Sequence, residues 1–179
     1  IEEDGAAVRM FADSGITFLV SSSFSKSFSL YGERVGALSI VDQSQEESAR
    51  VLSQLKRVIR ANYSTPPTHG GMVVATVLNT PELRVEWEAE LGEMRARIKS
   101  MRHRLADGLA ARKVKRDFSF IEKQVGMFSY SGLTSEQVER LRDEFGIYAV
   151  SSGRICVAAL NSRNVDYVAD AIAKVLETN

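Results

Sequence analysis

Lys26 stands in "SSSFSKSFSLYGERVG", with hydroxyls at Ser21, Ser22, Ser23 and Ser25 and a guanidinium, Arg34, eight residues on. A lysine amine can offer a point charge to phosphate or, once desolvated, attack a carbonyl to form a Schiff base. Hydroxyls with a guanidinium are good donors for a phosphate dianion. An aldehyde-accepting amine beside a phosphate cradle is the chemistry that pyridoxal phosphate requires. Two other readings stay open on these residues alone. Ser23-Phe-Ser-Lys26 also fits the S-x-x-K motif of penicillin-binding serine hydrolases, but it follows a strand-like run and neither S-D-N nor K-T-G occurs in the chain. On composition alone, an ordinary surface lysine in a serine-rich turn is the commoner outcome.

The elements that must position Lys26 follow from periodicity. A short helix over 4–13, stopped by Gly15, leads to an apolar strand, Ile16 to Val20, and the lysine segment leads to a second, Arg34 to Val41. Ser44 to Glu47 forms a capping box, and Val51, Leu52, Leu55, Val58 and Ile59 recur on one face of the helix behind it. "ANYSTPPTHGG" ends that helix, and a small-residue helix follows over 70–78. The alternation of strands and helices predicts a parallel α/β layer. Thr80 and Pro81 open a long helix over 81–112, with Leu83, Trp87, Leu91, Met94, Ile98, Met101, Leu105 and Leu109 at helical spacing and the Glu and Arg residues as its wet face. Beyond it the pattern is α+β. Strands are expected at 127–130, 147–150 and 155–160, with a helix boxed by Thr134 and Gln137 and a last helix over 164–176. A soft boundary near Glu93 divides 1–93 from 94–179.

Composition sets the class. Of 179 residues, 44% are hydrophobic, and 23 basic residues balance 23 acidic ones, so no electrostatic footprint for nucleic acid or an anionic membrane is present. No apolar run is long enough to span a bilayer and no leader precedes the first helix, so a cytoplasmic protein is expected. The single cysteine, Cys156, excludes an internal disulfide framework and reads as a small buried apolar residue. His69 and His103 lie far apart with no partners in a metal-ligand pattern, so no metal is expected, and Glu88, Glu90 and Glu93 read as surface acids.

Four stretches in order, "SSSFSKSFSLYGERVG", "RANYSTPP", "GMFSYSGL" and "SSGRICVAALN", resemble the fold-type I pyridoxal phosphate aminotransferases, within them the aspartate and aromatic amino-acid aminotransferases. The resemblance covers essentially the whole chain but only the later part of such an enzyme. It implies an α/β fold: the end of the large cofactor-binding domain, mostly parallel sheet with helices, plus a smaller α+β carboxy-terminal domain. It makes Lys26 the Schiff-base lysine that also moves the substrate's α-proton, and Ser23, Ser25 and Arg34 ligands of the cofactor phosphate. Arg154 resembles the arginine holding the substrate α-carboxylate, though by itself it would read as a turn arginine. Phe128 resembles an aromatic lining that pocket, and equally fits a core strand position. Arg60 resembles the residue that crosses to the other subunit's site to meet a second substrate carboxylate, which implies a homodimer with shared sites; by position it is also a helix carboxy-terminal cation.

Ser29, Gly32, Cys156 and Asn161 look like the aromatic branch, implying transfer between an aromatic or dicarboxylic amino acid and a 2-oxo acid such as 2-oxoglutarate. The alternatives are aspartate specificity, or a non-catalytic remnant that kept the scaffold. The resemblance also implies that the partner of the pyridinium nitrogen, the glycine-rich phosphate turn and the residues at the cofactor ring lie before the position of Ile1. These 179 residues alone are therefore expected to be inactive.

Overall fold

The computed structural model describes residues 2–177, and the chain divides into two compact units between Glu88 and Ala89. In the first, α1 (Ala6–Asp13) ends where Gly15 turns at φ +70°, and β1 (Phe18–Ser23) follows. β2 (Gly36–Val41) pairs with it antiparallel, from Phe18 opposite Val41 to Ser23 opposite Gly36. The strand–helix alternation had led to the expectation of a parallel layer; this pair is a hairpin. Parallel neighbours need a crossover, usually a helix, whereas only turns and one 3₁₀ turn at Tyr31–Glu33 connect β1 to β2.

Ser44 caps α2 (Gln45–Asn62), its hydroxyl accepting from the Glu47 amide at 3.1 Å. After the proline loop come α3 (His69–Asn79) and α4 (Pro81–Ala111). Extended Thr80 separates the two and accepts from the Arg84 amide at 2.9 Å, so Pro81 occupies a first-turn place where no N–H is needed. Among the described residues of this unit only Gly70 and Val74 are buried. The apolar faces of α1 and α2 stay open: Phe11 is 54% exposed and Val58 63%.

The second unit has a closed core. The carboxy-terminal half of α4 buries Met101, Leu105 and Leu109 against Ile121, Leu141, Val165 and Ile172. Leu105, Leu109 and Ile121 are fully buried, each burial stabilising by roughly 1.5–3 kcal/mol. The apolar stripe of α4 is fully buried only in this half; Trp87 and Leu91 are half-buried, and Leu83 and Met94 are exposed.

β3 (Phe128–Tyr130) pairs antiparallel with β4 (Arg154–Cys156), and α5 (Ser135–Phe145) and α6 (Val165–Glu177) pack beside them. Thr134 and Gln137 make both halves of the capping box on α5. Residues 147–150, expected as a strand, are irregular: left-handed Gly146 ends α5 and the Ile147 amide turns back to the Leu141 carbonyl at 2.9 Å, so the segment starts on the helix end rather than in a ladder. The strand expected to reach residue 160 stops at Cys156, because Val157–Ala159 winds into a 3₁₀ turn.

Candidate functional site

Lys26 lies in the connection between β1 and β2. The ladder continues one step past the hairpin, with the Phe24 amide donating to the Val35 carbonyl at 3.2 Å. The chain then turns, the Phe28 amide reaching the Phe24 carbonyl at 3.2 Å and the Ser29 amide the Lys26 carbonyl at 3.3 Å. Ser29 and Arg34 both take positive φ of 54°, uncommon for side chains of this kind. Two neighbouring helices hold the loop. The Trp87 indole N–H donates to the Ser27 carbonyl at 2.7 Å while its ring stacks on Phe28 at 4.7 Å. Gly70, in the first turn of α3, sits so close to Val35 that an added Cβ would lie 3.2 Å from that side chain's Cβ.

Tyr31 collects the cations. The Lys26 ammonium lies 4.2 Å from its ring centroid and the Arg34 guanidinium 5.3 Å, with Arg34 also donating to the Tyr31 carbonyl at 2.8 Å. The Ser23 hydroxyl accepts from the Ser25 amide at 3.3 Å, which folds Ser25 back at the foot of the turn. Lys26, Ser23 and Arg34 are exposed and Ser25 is half-buried. Neither cation pairs with a carboxylate among the described residues. An amine, two hydroxyls and a guanidinium in one loop, with no internal anion to neutralise them, fit a phosphorylated aldehyde.

Arg60, in the last turn of α2, donates to the Ser64 hydroxyl at 2.6 Å and is exposed. The expected helix-end placement is observed.

In the second unit the β3–β4 register puts Phe128 opposite Cys156 and Tyr130 opposite Arg154, so all four share one exposed face. The Arg154 guanidinium lies 4.8 Å from the Phe128 ring centroid. Phe128 is therefore a surface platform, and Cys156 is exposed where a buried residue was expected. Two-residue alternation explains both: Ser129 and Ile155 take the inward side.

Buried Ser131 anchors the turn before Arg154, its amide and hydroxyl both donating to the Gly153 carbonyl, at 2.9 and 2.6 Å. Gly153 has φ +81°, and a Cβ there would lie 2.6 Å from the Leu133 carbonyl oxygen. Sequence reasoning did not single out Tyr31, Ser131 or Gly153, and placed Trp87 only on the apolar stripe of the long helix; the Trp87–Ser27 and Ser131–Gly153 contacts are long-range and spacing does not carry them, whereas Tyr31 lies within five residues of both cations. Arg102 did leave a signal, because Ile98, Arg102, Leu105 and Leu109 fall on one helical stripe.

Residues 2–172 match the family described as "Aminotransferase class I and II", and the chain belongs to it. It is 70% identical over 176 residues to the aspartate aminotransferase of Pseudomonas aeruginosa, covering 98% of this chain and 44% of that protein. Against the aromatic-amino-acid aminotransferase of Escherichia coli it is 52% identical, with the same two shares, 98% and 44%. A crystal structure of an aromatic-amino-acid aminotransferase from Burkholderia pseudomallei, covalently bound to pyridoxal phosphate, superposes with a TM-score of 0.96 at 70% identity, again over 98% of this chain and 44% of that one. The chain thus spans less than half the length of the curated relatives it matches.

Proposed function

We propose that the protein to which this chain belongs is a pyridoxal phosphate-dependent aminotransferase moving an amino group between an aromatic or dicarboxylic amino acid and a 2-oxo acid such as 2-oxoglutarate. The observation that carries this is the gathering of Lys26 and Arg34 over Tyr31, in the segment that also carries Ser23 and Ser25, with neither cation paired to a carboxylate among the described residues. Membership of the aminotransferase family supports it. When bound, pyridoxal phosphate supplies an electron-withdrawing ring that stabilises negative charge at the substrate α-carbon. Lys26 Nζ binds the cofactor and, once released, moves the proton at that carbon. Ser23, Ser25 and Arg34 hold the phosphate through charge-assisted hydrogen bonds. Arg154 holds the α-carboxylate in a planar, bidentate grip that also orients the Cα–H bond, and Phe128 lines its flank.

Arg60 takes a second substrate carboxylate in the partner's site, which makes the working unit a homodimer. Residues 1–93 belong to the end of the large cofactor-binding domain and 94–179 to the small carboxy-terminal one. The site is completed by sequence outside this chain. A cytoplasmic location is part of this reading; no described helix is long and apolar enough to cross a membrane. A narrower reading, aspartate as the preferred donor, is favoured by the name of the 70% identical Pseudomonas relative, whereas the equally similar Burkholderia structure carries the aromatic name.

The test treats the full-length protein with pyridoxal phosphate and borohydride and reads adducts by mass. One reduced adduct, on the Lys26 peptide and lost in Lys26→Ala, is expected; an adduct elsewhere, or none, overturns the assignment. Mixing Lys26→Ala and Arg60→Ala subunits should restore part of the activity that each lacks, and no complementation would count against a shared site.

A further inference from the structure

Arg102 is a buried cation that this chemistry leaves unused. It projects from α4 into the second unit with 3% of its surface exposed, and no carboxylate meets it among the described residues. Every hydrogen bond recorded for it goes to one short segment. Nη1 donates to the Gln124 carbonyl at 2.8 Å, the Ile121 carbonyl at 3.3 Å and the Ser129 hydroxyl at 2.9 Å. Nη2 donates to the Gly126 carbonyl at 2.6 Å and the Phe128 carbonyl at 3.1 Å.

Burying a guanidinium without a counter-ion is unfavourable, and here it pulls the Arg102 pKa downward. If packing were the only need, an apolar side chain at this stripe position would serve with no such cost. What the guanidinium supplies is a planar fork that gathers four carbonyls and a hydroxyl around one group. A lysine point charge cannot match that geometry. The segment so gathered leads directly into Phe128, the ring beneath Arg154.

We propose that Arg102 is a positioning residue for carboxylate binding: it fixes the backbone at Phe128 and, through that ring, the direction in which Arg154 presents its guanidinium. This rests on the reading of Arg154 as the α-carboxylate ligand. Displacing a binding group by about 1 Å can cost up to a hundredfold, so a partial loosening is expected to cost about tenfold.

The experiment uses the full-length protein loaded with pyridoxal phosphate and measures 2-oxoglutarate binding by titration calorimetry, thermal unfolding, and the Lys26 adduct by mass. Arg102→Lys should remain folded and keep the adduct, while the Kd for 2-oxoglutarate rises about tenfold. Ser129→Ala, which removes one acceptor of the five, should raise it about twofold to threefold. A residue that only supports packing would lower the unfolding temperature and leave Kd in place, and that result in Arg102→Lys overturns the proposal. If Arg102→Lys fails to fold, an unchanged Kd in Ser129→Ala overturns it alone. Arg154→Ala separates the two levels. Weakened binding there with no change in Arg102→Lys sinks the positioning role only, whereas unchanged binding in Arg154→Ala sinks the reading of Arg154 and the positioning role with it.

Discussion

Replacing Gly153 with alanine should destabilise the second unit by about 3–4 kcal/mol, and the amount can be built from two separable causes. The first is conformational. At φ +81° an L side chain is disfavoured by roughly 1–2 kcal/mol. The second is steric. The new Cβ would lie 2.6 Å from the Leu133 carbonyl oxygen and 3.1 Å from the Leu133 nitrogen, and backbone cannot swing away as a side-chain tip can. Relief requires residues 131–133 to move off, which stretches the two bonds from Ser131 to the Gly153 carbonyl. Buried bonds of this kind are worth about 1 kcal/mol each, so about 2 kcal/mol joins the conformational cost.

Gly146 is the control. It is also left-handed, at φ +64° and ψ 24°, but an added Cβ meets nothing within 4 Å, so Gly146→Ala should show the first cause alone. Urea unfolding of the full-length variants, with amide exchange to localise the loss to 127–160, gives both numbers. Equal destabilisation by the two substitutions would refute the steric half of the reasoning. Loss confined to the Gly146 variant would refute all of it.

Trp87→Phe keeps a ring on Phe28 but strands the Ser27 carbonyl, so trapping of pyridoxal phosphate on Lys26 should slow several-fold, and more in Trp87→Ala; equal trapping rates would remove Trp87 from the loop's support. Leu105→Ala opens a cavity in the fully buried core and should cost about 2–5 kcal/mol by denaturant unfolding; a cost below 1 kcal/mol would mean the core collapses onto the gap. The Arg112 side chain, 2.6 Å from Asp170, holds that carboxyl below its ordinary value of 3.8 by hydrogen bonding first and charge second. A depressed carboxyl stabilises the fold above its unfolded pKa and loses that contribution as pH falls through the folded one. Acid unfolding of Asp170→Asn should therefore be less steep than that of the parent below about pH 4, and parallel curves would show that the pair contributes nothing.

Local signals carried far in this chain. Ser44, Thr134 with Gln137, and Pro81 after Thr80 mark three helix starts by chemistry confined to four residues, and all three stand in the structure. What failed was non-local. Nothing in "RVGALSIV" shows that its partner is the strand just before it, running the other way. "IYAV" has a strand's composition, yet Gly146 before it and the Gly153 turn after it leave only one bond of ladder type, from the Val150 amide to the Arg154 carbonyl. The arginines of α4 were expected on its wet face. Arg102 instead turns inward, and Arg97 reaches the carbonyls of Leu160 at 2.7 Å and Ala158 at 3.0 Å. For the site, Lys26 and Arg34 were legible as a pair from their neighbours, and the structure adds Tyr31 as the surface they share.

The second unit closes a core of its own, while the described part of the first seals only Gly70 and Val74. Opening of backbone amides follows local burial, so in this 179-residue chain the two halves should breathe on separate clocks. In this chain by itself, the amides of 24–35 should exchange before those of β3 and β4. In the 179-residue chain by itself, Lys26 therefore sits on the half that should open first and Arg154 on the half that should open last.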